Sequence, residues 1–232
     1  MSNISSVSLQ LAAAVSNGIA QSQAVAAAGN LTLNGSLVSG GVATMDVARR
    51  VIVASTGNES SVTFTVYGTS RDGVTQTDTI TGVNISTVAS TLDFKTVTRV
   101  AASAACAGNV TAGTNATGSS PWIVDNPFTA SWYLAVAVAV DPSAGAVTYT
   151  VEHTYDDVNR AGTSTVLQPE QVSLQPQGFT PPKAWANATL SGLSADGQAN
   201  YANQPIMAHR VTVTAGTGKV TMQSIQAGIG LV

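Results

Sequence analysis

The strongest constraint on this chain is a two-residue period. Over residues 61–69, Val62, Phe64 and Val66 fall on one side and Thr63, Thr65 and Tyr67 on the other. Successive side chains of an extended chain point to opposite faces, so this run makes a strand with one apolar and one polar face. Similar alternation rich in β-branched residues marks strands at 47–55, 75–81, 95–101, 109–112, 133–140 and 146–155. Turn residues separate them at 56–60, at Arg71-Asp72-Gly73 and at 141–145. Many short strands and no long helical period predict an all-β chain of antiparallel sandwiches, Ig-like or jelly-roll-like.

The strands fall into two groups. Val62-Thr63-Phe64-Thr65-Val66 matches Val147-Thr148-Tyr149-Thr150-Val151 at an offset of 85 residues. Arg99-Val100 matches Arg210-Val211 at an offset of 111. The difference of 26 residues falls across the Gln- and Pro-rich stretch 160–185, which reads as a loop inserted in a second copy. The small residues 113–120, followed by Pro121, read as a linker. The expected organisation is an N-terminal arm or strand segment (1–45), a first β-sandwich (46–118) and a second β-sandwich (119–232). In the arm, Leu9, Leu11, Ala13 and Val15 alternate like a strand, although its alanines equally suit a short helix. Gly40-Gly41 marks its end.

Charge is scarce. Only 9% of the 232 residues are charged, and the net charge is −3. An ordinary soluble domain carries about 25%. Nine basic residues provide no electrostatic footprint for nucleic acid. No run of 18 apolar residues marks a membrane helix. No Lys or Arg precedes Arg49, so the beginning does not read as a signal peptide. A single cysteine, Cys106, excludes an intrachain disulfide and a cysteine-rich metal site, and reads as a small buried filler. A surface with so few charges is either covered by Thr, Ser, Asn and Gln or shared with other subunits.

Candidate chemistry is sparse as well. His153 stands two residues before Tyr155, with Asp156 and Asp157 next. A metal or acid–base site there is conceivable, but an exposed strand face running into a turn explains the same residues. The D-x-D-x-D spacing that would mark calcium is missing. His209 reads as a surface hydrogen-bonding residue at a strand start. Gly216-Thr217-Gly218 reads as a hairpin turn, not a phosphate cradle. No nucleophile elbow, Walker loop or dinucleotide fingerprint is present. The expectation is therefore no catalytic residue, no cofactor and no metal. The candidate interface residues are Leu9, Leu11 and Val15 in the arm, Trp122, Trp132 and Trp185, and Phe179 in the neutral loop.

Residues 51–81 (VIVASTGNESSVTFTVYGTSRDGVTQTDTIT) with DFKTVTRV at 93–100 resemble modules of tailed-bacteriophage structural proteins. Residues 147–158 (VTYTVEHTYDDV) and 195–226 are similar to the same class. The resemblance covers roughly 47–115 and 132–226 and rests on Thr/Val hairpins with Gly turns. It implies a virion component made in the cytoplasm of a bacterial host and assembled in many copies. Within that class it implies a capsid decoration (cement) protein bound to the major capsid protein, with a homo-oligomer, a trimer by class, as the expected state. A tail or neck accessory protein and a carbohydrate-binding adhesin are the alternatives. The resemblance transfers no catalytic residue.

Overall fold

A computed structural model describes residues 3–127, 132–158, 182–202 and 205–227. Among them there is no α-helix, and the chain is all-β with antiparallel pairing throughout. The first half forms β1 (Asn3–Gln10), β2 (Ala20–Gln23), β3 (Gly29–Asn30), β4 (Val38–Ser39), β5 (Val42–Ser55), β6 (Thr63–Thr69), β7 (Thr75–Thr81), β8 (Thr87–Ala102) and β9 (Val110–Ser119). The second half forms β10 (Ile123–Val124), β11 (Tyr133–Asp141), β12 (Val147–Thr154), β13 (Trp185–Leu193), β14 (Gly197–Ala202), β15 (Ala208–Gly216) and β16 (Lys219–Gln226).

The expected alternation sets the burial. Along β6, Phe64, Val66 and Gly68 are buried and their neighbours are not. The Arg71-Asp72-Gly73 turn joins β6 to β7, with Gly73 at φ +78°, where a side chain would be strained. Gly40 and Gly41, at φ +58° and +81°, close the β4–β5 hairpin.

Two sheets result. One is four-stranded, in the order β1-β16-β11-β14. The other has twelve strands, with the path β13-β12-β15-β9-β5-β8-β6-β7. This larger sheet runs through both halves of the chain, joined where Ser119 and Gly118 of β9 meet Thr212 and Val213 of β15. The stretch 113–120 is therefore not a linker, because most of it is the continuation of β9. Its small residues serve close approach: a Cβ on Gly113 would lie 2.1 Å from the Val15 carbonyl oxygen.

Two apolar cores lie on this framework. The first gathers residues between Ile19 and Ala112, around Phe64, Phe94 and Met45. The second gathers Leu134, Val136, Tyr149, Val151, Leu190, Val211, Val220 and Met222 between the four-stranded sheet and the far end of the larger one. The N-terminal segment belongs to both cores. Its strand β1 pairs with β16 from Asn3↔Gln226 to Gln10↔Lys219, and Leu9 and Leu11 sit in the second core at 3% and 1% exposure. Ile19, Ala20, Val25 and Leu31 then enter the first. A clamp holds the crossover between them. Ala12 donates its amide to Asp46 Oδ2 at 2.7 Å, and its carbonyl accepts from the buried Arg49 at 2.7 Å. In the described structure this segment is thus part of the fold, not an extension free of it.

The matched segments occupy matched positions. Val66 of β6 faces Val100 of β8, and Val151 of β12 faces Val211 of β15. One step on, Tyr67 faces Arg99 and Glu152 faces Arg210. The two sequence matches are therefore cross-strand neighbours in the same register.

Candidate functional site

The predicted interface residues separate into three environments. Leu9, Leu11 and Trp132 are interior. Val15 is half-buried and spends its backbone on β9, taking the Thr114 amide and donating to the Thr114 hydroxyl. Trp122 is half-buried and Trp185 is 46% exposed. Phe179 and most of the loop 160–185 lie outside the described residues.

The two histidines come together, which their separation in sequence concealed. They are direct partners on β12 and β15, so both side chains point to the same face, toward one end of the second core. His209 is not a surface residue: it is fully buried, and its Nδ1 lies 2.8 Å from Oδ2 of the equally buried Asp125. Its Nε2 and the Trp132 indole N–H are buried with no partner among the described residues. His153 Nδ1 lies 3.3 Å from the Tyr201 hydroxyl, and edge-to-face contacts join it to Tyr155 and Tyr201. Burial holds His153 below the usual imidazole value and pushes the Tyr201 phenol up to about 12. Asp156 does not serve His153, because its Oδ2 accepts the Lys183 amide at 2.7 Å. The cluster runs from the buried His209 through the half-buried His153 to the exposed Tyr155 and packs one end of the second core.

A cavity of 240 Å³ opens where the two halves meet. Three of the chain's six arginines line it, Arg50, Arg71 and Arg210, together with Trp122, Asp72 and Asp93. A polar chain links the arginines of its wall, partly through residues behind the lining. Arg50 donates from Nε to Asp93 Oδ1 at 2.7 Å, and Asp93 Oδ2 accepts from the Ser119 hydroxyl at 2.7 Å. That hydroxyl stands 3.0 Å from the Thr212 hydroxyl, which donates to Glu152. Glu152 also accepts from Arg210 Nε at 2.8 Å, and the Arg210 guanidinium lies 4.4 Å from the centre of the Trp122 ring. Arg71 donates one N–H to the Ser119 carbonyl at 2.8 Å. No sequence motif announces this cleft. The available signal was the rarity of arginine in so neutral a chain, together with the match between Arg99 and Arg210. In the first half Arg99 lies 3.6 Å over the Tyr67 ring, as Arg210 lies over Trp122 in the second.

The outer face of the four-stranded sheet is the other distinctive surface. Direct cross-strand pairs set its rows: Ile4–Ile225–Ala135–Asn200, then Ser6–Gln223–Ala137–Gln198, then Ser8–Thr221–Ala139. Charge enters only at one end of the face, where Asp196 stands beside Ala139 and Thr221 and the row Gln10–Lys219–Asp141 follows. Among the described residues nothing lies over this face: Ile4, Ile225 and Tyr133 are 69%, 48% and 39% exposed.

Among the described residues, fold and surface together define an all-β protein with a largely neutral, uncovered sheet face and an arginine-lined cleft where its two halves meet. Comparison with known protein families, characterised proteins and solved structures finds no match for the chain.

Proposed function

We propose that this chain is a structural, non-catalytic component of a tailed-phage virion. Within that reading it is a decoration protein that binds the major capsid lattice. The observation that carries the proposal is the outer face of the four-stranded sheet, neutral but for one end and uncovered among the described residues. Burying Ser, Ala, Gln and Ile against another neutral surface strips no ion of water, so the desolvation cost that opposes charged contacts is absent. The size of the face supports many-copy assembly. Four strands about 4.8 Å apart and about 25 Å long present roughly 400–500 Å². A stable pairwise contact buries about 800 Å² per partner. One such face therefore binds weakly alone and strongly where copies are linked in an array.

The adhesin alternative would need an exposed aromatic platform. Trp185 is the best candidate, but Lys183 Nζ already lies 4.0 Å over its ring. Co-sedimentation with heads lacking the protein, and its location in purified particles by labelled-antibody microscopy, test the proposal. Saturable binding to heads and a label on heads support decoration. A label at the neck or tail replaces the lattice with those sites as the partner. No binding to any particle component refutes the virion reading.

A further inference from the structure

The cleft between the two halves is equipped for a ligand. Arg50 is matched by Asp93, and Arg210 by Glu152, each through a bond of 2.7–2.8 Å. Arg71 is different. It has no carboxylate within ion-pairing distance among the described residues, and its one hydrogen bond goes to a backbone carbonyl. Its guanidinium is half-buried, and the nearby positive charge of Arg210 opposes its own. Burial is the larger cause that lowers its proton affinity, and the neighbouring Asp72 only partly offsets this. Two cations that line one cleft, with terminal N–H groups of both unassigned among the described residues, offer a fork for one oxyanion. Trp122 supplies an aromatic wall beside Arg210.

We propose that this cleft binds a carboxylate group, received by Arg71 and Arg210 and packed against Trp122. Charge selects carboxylate over phosphate. Among the described residues Arg50 and Arg210 are ion-paired, and Arg71 has only the neighbouring charge of Asp72, so the cleft accommodates no more than one added negative charge. A dianion would also meet Asp72, Asp93 and Glu152 nearby. The cavity volume of 240 Å³ accepts an acidic side chain or a small organic acid. This assignment does not depend on the virion reading, because it rests on the cleft alone.

The test is an NMR titration of the full chain that follows the Trp122 indole N–H, identified by its loss in Trp122→Phe. The probes are butyrate, butyramide, inorganic phosphate at matched ionic strength, and blocked pentapeptides with a central Glu or Gln. Butyrate should shift the resonance saturably, with a dissociation constant on the order of 1–10 mM. Butyramide and the Gln peptide should leave it unmoved. A Glu peptide that binds more tightly than butyrate assigns the group to a neighbouring chain. Equal or weaker peptide binding assigns it to a free acid. Arg71→Gln should weaken butyrate binding by about tenfold or more, while the buried Trp132 resonance reports an intact fold. Asp72→Asn, at an exposed turn, should tighten it by about two- to fivefold at low salt, since a repelling charge is removed. The proposal is overturned if butyrate gives no saturable shift, if butyramide or phosphate binds as well as butyrate, or if both variants titrate like the parent.

Discussion

Leu11→Ala separates a folded N-terminal segment from an arm that only clasps neighbours. Leu11 is 1% exposed and packs in the second core beside Leu9 and Trp132. Truncation to alanine removes about three methylene equivalents of buried surface, worth about 2.4 kcal/mol in transfer alone. The framework around it is held by the β1–β16 ladder and by the Arg49–Asp46 clamp on Ala12, so the site cannot collapse fully. A residual cavity raises the total to about 3–4 kcal/mol. That is a large fraction of a typical stability of about 5–15 kcal/mol. Urea denaturation followed by tryptophan fluorescence should show a midpoint lowered by about 1 M or more at an unchanged slope. Ile4→Ala, on the exposed end of the same strand, should stay within about 0.5 kcal/mol of the parent. If Leu11→Ala leaves the midpoint in place and changes only the oligomeric state, the segment is an intermolecular arm and the fold described here is refuted at that point.

Three further substitutions probe other parts of the structure. Asp125→Ala leaves the His209 ring buried without its only described partner and should cost about 1–3 kcal/mol in urea denaturation. Gly113→Ala places a methyl group 2.1 Å from the Val15 carbonyl oxygen and should cost about 1–3 kcal/mol, with loss of amide protection at Val15 and Thr114 in hydrogen exchange. Glu59 sets a pH dependence. Burial pushes its carboxyl up, but hydrogen bonds from Ser55, Ala107 and Gly108 outweigh that and hold it below the ordinary value of 4.5. A lowered folded value means that the contribution is complete above the unfolded value and fades as the pH falls through the folded one. The stability gap between the parent and Glu59→Gln should therefore be full at pH 7 and shrink below about pH 4.5. A gap that grows on acidification contradicts it.

What the sequence made legible was local. Alternation located β5, β6, β7, β11 and β12, because a strand's burial pattern is written in its own residues. The register match between Val66/Val100 and Val151/Val211 was also present in the sequence, since repeated segments keep their pairing. Relations between distant residues were not legible. Nothing near Leu9 announces that its partner strand closes the other end of the described chain, at Val220. Asp125 and His209 are 84 residues apart, and each reads as a surface residue until the fold buries both. The small residues of 113–120 imitate a linker because close backbone approach and flexibility use the same residue types. The cleft arginines come from three separate strands and turns, so no spacing rule connects them.

The proposed decoration role requires the largely neutral outer sheet face to be buried in particles. Ala137 lies in the middle of that face, and Cys106 is the chain's one cysteine. In a Cys106→Ala background, Ala137→Cys gives a single thiol whose rate of maleimide labelling can be compared between free protein and purified particles. Burial of the face in particles gives fast labelling of the free protein and strong protection in particles. Equal labelling in both states would show that the face stays open to solvent and is not the surface through which the protein binds particles.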